Sequence, residues 1–191
     1  MATAIITEII TAAELAVKAG EVAAKVIPET PKGLVDKFRW MQCTVKNETQ
    51  FDIVLLDSFF DTGRYWSAPG GASPFTQIVF SCCNGDNTIG QGVTGGTAFR
   101  LWLDNNHTFD FSLGWTNPTI GAFKAGVVNS AKGEDGYKAA TGNGGVLMSE
   151  QIFEGKDKDG NRAAFRIHIS AAPGAEAMYV IKQLLVAASS A

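Results

Sequence analysis

Thr97-Ala98-Phe99-Arg100-Leu101-Trp102-Leu103, Asp104-Asn105-Asn106 and His107-Thr108-Phe109-Asp110-Phe111-Ser112-Leu113 decide how this chain folds. Phe109, Phe111 and Leu113 alternate with Thr108, Asp110 and Ser112. Successive side chains leave a strand on opposite faces, so this arm has one apolar face and one polar face. The Asp-Asn-Asn triplet supplies turn residues, and the two arms read as a hairpin. The same alternation recurs along the chain. Phe38 to Lys46, Phe51 to Phe60, Phe75 to Cys82, Ile120 to Val128, Val146 to Phe153 and Ala163 to Ser170 read as strands. Ala175 to Val186 reads as a last strand, although its composition also suits a helix. Ser67 to Pro74 and the glycine-rich Asn129 to Gly145 read as loops. Short strands at this spacing predict a mainly β fold, an antiparallel β-sandwich.

The N-terminus has a different period. Polar residues fall at Thr7, Thr11, Glu14, Lys18, Glu21 and Lys25, in steps of four and three. That is the spacing of one helix face, and Glu8 widens it. The spacing predicts an amphipathic α-helix from Thr3 to Ile27, ended by Pro28 and Pro31. Its apolar face takes roughly five positions in seven, whereas core packing needs about three. At about 1.5 Å per residue such a helix would measure ~37 Å, enough for a hydrocarbon core of ~30 Å. Residues 1–30 therefore read as a helix and hinge, and residues 31–191 as the β-sandwich.

A length of 191 residues suits one domain, and 21 glycines with 12 phenylalanines suit strands joined by tight turns. Sixteen Lys and Arg against 19 Asp and Glu leave a net charge of −3, a poor basis for holding nucleic acid phosphates. Cys43, Cys82 and Cys83 form no disulfide framework and read as reduced sheet residues. With His107 and His168 they form no metal set. The N-terminus lacks a basic leader and is interrupted by Glu8 and Glu14, so no signal peptide is expected.

Several catalytic and ligand motifs fail on inspection. Gly90-Gln91-Gly92-Val93-Thr94-Gly95 has dinucleotide-loop spacing, but a strand follows where a helix is required. Asp157, Asp159 and Asn161 open like a calcium loop, yet Arg162 and His168 occupy its glycine and glutamate positions. Neither histidine comes with a nucleophile motif, so an enzyme is not expected. The sequons Asn47-Glu48-Thr49 and Asn106-His107-Thr108 read as turn chemistry.

Val45-Lys46-Asn47-Glu48-Thr49, Phe59-Phe60-Asp61-Thr62-Gly63 and Phe165-Arg166-Ile167-His168-Ile169-Ser170 resemble strand motifs of the actinoporin-like cytolysins. The hairpin from Gly95 to Leu113 also resembles that of the fungal fruit-body lectins, and the last strand matches the lectins better. Asp61 stands where the cytolysins carry arginine.

The resemblance implies a pore-forming toxin. Such a protein binds a membrane lipid, oligomerises and inserts its N-terminal helix. It implies sphingomyelin-like lipid or glycolipid as partner, possible carbohydrate binding, homo-oligomers in the membrane and no cofactor. It also implies release as a soluble protein that acts at a target cell membrane. By position, Thr62, Thr94 and Ser112 take polar pocket roles. Trp66, Trp115 and Phe123 are expected on membrane-facing loops, with Trp115 and Tyr137 as the best aromatic cage for choline. Thr7, Thr11, Glu14, Lys18, Glu21 and Lys25 would line the pore. The alternative is a lectin-like binding module whose helix never inserts.

Overall fold

A computed structural model describes residues 4–6, 8–86, 88 and 90–187. Two packed sheets form a mainly β sandwich. The smaller sheet joins β3 (Asp52–Thr62), β6 (Val93–Trp102), β7 (Thr108–Asn117) and β8 (Lys124–Val128) in that order. The larger begins with β1 (Ala4–Ile6), β10 (Phe153–Lys156), β11 (Arg162–Ala172) and β12 (Glu176–Val186). It continues through β2 (Trp40–Glu48), β5 (Gln77–Cys83) and β4 (Arg64–Ser67), while β9 (Gly145–Met148) pairs with β11. All pairings are antiparallel except β12 with β2 and β1 with β10. Phe99, Leu101, Phe111, Leu113, Phe165, Ile167 and Ile169 meet between the sheets, as their alternation requires.

The N-terminus departs from the sequence reading. Residues 4–6 are a strand parallel to β10, and α1 runs only from Ala12 to Ala23. Thr11 caps it, accepting a hydrogen bond from the Glu14 N–H at 3.4 Å. Twelve residues reach about 18 Å, well short of a ~30 Å hydrocarbon core, and no described helix is long and apolar enough to cross a membrane. The 4–3 spacing is real from Thr11 to Glu21. Before it, backbone pairing with β10 wins over helical propensity, a nonlocal effect that periodicity does not carry.

α1 lies on the outer face of the larger sheet through Leu15 and Val22. The Lys46 ammonium, itself buried, donates to the Ala23 carbonyl at 2.6 Å and closes the helix C-terminus. A short α2 (Lys32–Val35) leads into β2.

The glycine-rich 129–145 segment is not wholly loop. It contains α3 (Gly133–Ala139), which crosses the outer face of the smaller sheet. Gly136 and Gly114 meet backbone to backbone there, and a Cβ on Gly114 would run into the Gly136 carbonyl. The predicted strand Val146 to Phe153 is two strands, β9 and β10, interrupted at residues 149–152.

Candidate functional site

One pole of the sandwich collects the start of β2, the end of β5, the start of β4, the start of β6 and the end of β7. Asn117 Nδ2 donates to the Trp40 carbonyl at 2.9 Å and joins the two sheets there. Arg39 organises the loops. Its N–H donates to Asn84 Oδ1 at 3.2 Å, its Nε to the Pro118 carbonyl at 3.1 Å and its Nη2 to the Thr119 carbonyl at 2.9 Å. The guanidinium carbon also sits 4.6 Å from the centre of the Phe38 ring. Asp86 accepts from Arg64 at 2.8 Å and from Lys37 at 3.4 Å, and these two cations hold its carboxyl below the usual carboxylate range. Lys37 completes the arrangement 5.6 Å above the Trp66 ring.

Four apolar side chains remain in water on this scaffold: Val35, Phe38, Trp66 and Ile120. Ile120 is 91% exposed, at the tip of the loop between β7 and β8. Residues 32–39, 64–66, 84–86 and 118–121 contain four cations (Lys32, Lys37, Arg39, Arg64) against two carboxylates (Asp36, Asp86). These four segments thus carry an excess of two cations within a chain of net charge −3, with Asp61 at the end of β3 and Glu176 at the start of β12 close by. Apolar side chains beside cations have the chemistry of a membrane interface.

Of the residues expected on membrane-facing loops, Trp66 lies at this pole but within strand β4 rather than in a loop, because that strand pairs with the end of β5. Phe123 is half-buried in the β7–β8 loop and packs against the core. Thr62 ends β3 and donates to the Gly92 carbonyl at 3.2 Å. Thr94 pairs between Thr62 and Thr116, buried, with its hydroxyl unpartnered. Ser112 is buried beneath α3 and donates to the Gly133 carbonyl.

Trp115 is a correction. It is a strand residue of β7, 0% exposed, with its ring among Phe60, Tyr65 and Phe80 at 5.9, 6.4 and 5.3 Å. β7 runs on to Asn117, so the expected loop begins later. Tyr137 lies on α3 with its ring 5.5 Å from Phe59. α3 covers the outer face of the sheet whose inner face holds Trp115, so the expected Trp115–Tyr137 cage does not form.

The predicted pore-lining stripe is also rearranged. Thr7 lies outside the described residues. Thr11 is the N-cap, Lys25 lies beyond the helix end, and Glu14, Lys18 and Glu21 share one flank of α1. Lys18 sits 5.5 Å from the Phe75 ring centre and Lys25 donates to the Phe75 carbonyl at 2.8 Å. The side turned to water is Ala13, Ala16, Val17 and Gly20, with Val17 64% exposed.

Phe38, Arg39 and Ile120 were not singled out by sequence. Phe38 and Ile120 read as the first residues of strands that in fact begin at Trp40 and Lys124. The adjacent Pro118 and Gly121 were the signal that Ile120 sits in a turn.

No protein-family model matches the chain, and no curated protein sequence does. A crystal structure of the lipid binding protein Nakanori is similar over 90% of this chain and 79% of that chain. The identity is 13% and the TM-score 0.47.

Proposed function

We propose that this protein binds lipid membranes through the Val35, Phe38, Trp66 and Ile120 pole and then inserts its N-terminal segment to form an oligomeric pore. The observation that carries the reading is Ile120, an almost fully exposed aliphatic side chain at a loop tip held by the Arg39 bonds. Exposed apolar groups on a rigid rim with an excess of cations gain by entering an interface, and the cations favour phosphate-bearing headgroups. Sphingomyelin or a glycolipid is the lipid class proposed, and the protein acts by binding rather than catalysis. It would be released as a soluble protein and act at the surface of a target cell.

Insertion needs a change of structure. The chain from residue 4 onward must leave β10, and α1 must lengthen at both ends to span a bilayer. The apolar, water-facing side of α1 supports that step, since it is wider than its packing requires. A second reading is favoured by β1: a binding module that keeps its N-terminus paired in the sheet and never inserts.

The test uses vesicles of phosphatidylcholine with and without sphingomyelin. Ile120→Glu should abolish co-sedimentation and dye release while leaving the melting temperature unchanged. Undiminished sedimentation of that variant rejects the docking pole. Sedimentation of the native protein without dye release selects the non-inserting module.

A further inference from the structure

β9 is an edge strand that its sheet leaves open. It pairs with β11 alone, Gly145 to Met148 against Ala171 to His168. In the same register the Ser149 N–H donates to the Ile167 carbonyl at 2.8 Å. Alternate residues of an antiparallel strand bond to opposite sides. Gly145, Leu147 and Ser149 therefore turn their backbone groups to β11, and Val146 and Met148 turn theirs away. No other described strand takes that edge. The side chains of Val146 and Met148 are 68% and 44% exposed. Apolar side chains on an open strand edge make a template for an added strand.

A cleft opens beside this edge. β8 stops at Val128, opposite Ser112, whereas β7 begins at Thr108. The Leu103 N–H donates to the His107 carbonyl at 2.9 Å, so the same alternation turns the backbone groups of Thr108 and Asp110 away from β6, into the place that β8 leaves open. Asn129 Nδ2 takes the Asp110 carbonyl at 2.8 Å. The cleft, about 490 Å³, lies between the start of β7 and the end of β9. Phe109, Leu147, Met148 and Phe153 line it with apolar surface, and Asp110 and Glu150 stand at its polar wall. Its volume is that of a binding pocket, roughly 300–1,000 Å³.

The charges select the occupant. Arg100 holds Asp110 in a forked pair at 2.7 and 2.8 Å, whereas the exposed Glu150 has no partner among the described residues. Among those residues no Lys or Arg lines the cleft. Its complement is a cation next to an apolar group. A second copy of β9 would bring Gly145 to Met148 and its own Glu150, with no cation, and leave both carboxylates uncompensated. We infer that the β9 edge takes an extended peptide segment of another protein as an added strand. One apolar side chain of that segment enters the cleft on Phe109, Leu147 and Phe153, and a neighbouring Lys or Arg meets Glu150. Backbone bonds to Val146 and Met148 set its register, and the cleft selects its side chains. The inference is independent of the docking pole, which lies at the Asn117 end of β7.

The test selects peptides from a random phage-displayed library on the immobilised full-length protein. Enriched sequences are then titrated as fluorescein-labelled peptides by anisotropy. They should carry an apolar residue with a Lys or Arg within two positions. Val146→Pro keeps the bonds to β11, because the Val146 N–H points outward, and it blocks the edge. That variant and Glu150→Lys should each weaken binding about tenfold or more. Ile120→Glu should not. N-methylation at one set of alternate peptide residues should abolish binding, and at the other set should spare it, a pattern that side-chain capture alone does not give. Absence of enriched peptides, enrichment of acidic ones, undiminished binding by Glu150→Lys, or indifference to both N-methyl sets overturns the inference. So does dimerisation of the native protein in sedimentation velocity that Val146→Pro abolishes, since the edge then belongs to a second copy. Glu150 is exposed, so its variant decides even if Val146→Pro fails to fold.

Discussion

Lys158 donates to Glu14 Oε1 at 2.6 Å and ties the first turn of α1 to the turn between β10 and β11. Glu14 also accepts from Thr11 Oγ1 at 2.9 Å. These bonds, Lys158 first, hold the Glu14 carboxyl below its ordinary value of 4.5. A carboxyl lowered in the folded state contributes stability above its unfolded pKa. The contribution is lost as pH falls through the lowered folded value.

Both partners are exposed, so the latch is weak and salt-sensitive. We expect α1 to loosen below pH 4.5, and at neutral pH in Lys158→Glu, while the sandwich stays folded. Anisotropy of a fluorophore at Val17→Cys reports it. Cys43, Cys82 and Cys83 are buried, with thiol pKa values raised by desolvation, and do not compete for the label. Unchanged anisotropy in Lys158→Glu would show that α1 is held by its apolar contacts alone.

Trp115→Ala should cost about 3–5 kcal/mol of stability, because it empties the centre of the Phe60, Tyr65 and Phe80 cluster. Urea denaturation measures the loss. Where the variant remains folded, vesicle binding should match the native protein, since the indole never reaches the surface.

What was legible in sequence follows from how local each cause is. The alternation of Phe109, Phe111 and Leu113 is a property of one strand, and the structure buries all three. The last strand was legible too, as β12. β1 was not, because it exists only through its pairing with β10. α3 was hidden by Gly133 and Gly136, which lower helix propensity but let the helix lie directly on the sheet at Gly96 and Gly114. The proposed docking pole was half legible: Trp66 was a candidate from its residue type, though on a loop rather than in β4, whereas Phe38 and Ile120 were absorbed into strands. Their exposure depends on where β2 and β8 begin, and strand ends are weakly encoded locally.

Asn47 should remain unglycosylated despite its sequon. Its side chain is fully buried, donating to the Phe51 carbonyl at 2.8 Å and the Ser73 carbonyl at 3.1 Å. Its Oδ1 accepts from the Thr49 hydroxyl at 2.6 Å. A glycan on Nδ2 would replace one of its two donated N–H groups and would need space that this fully buried side chain does not have. Mass spectrometry after passage through a glycosylating secretory pathway should find Asn47 bare. Asn47→Ala should cost several kcal/mol, at about 1–3 kcal/mol per buried group left unpaired.

Val17→Lys should separate docking from insertion. Val17 is exposed, so lysine, a good helix former, should change stability by less than about 0.5 kcal/mol. Vesicle sedimentation should persist, because Val35, Phe38, Trp66 and Ile120 are untouched. In a bilayer the same position lies near the middle of the proposed spanning segment, where a lysine costs ~3 kcal/mol per subunit. That corresponds to about a hundredfold in an insertion equilibrium, compounded over the subunits of an oligomer. Dye release should therefore collapse while binding survives. Dye release at the native rate would mean that α1 does not enter the hydrocarbon core, and the helical pore would have to be abandoned for the non-inserting module or for a pore built from other elements.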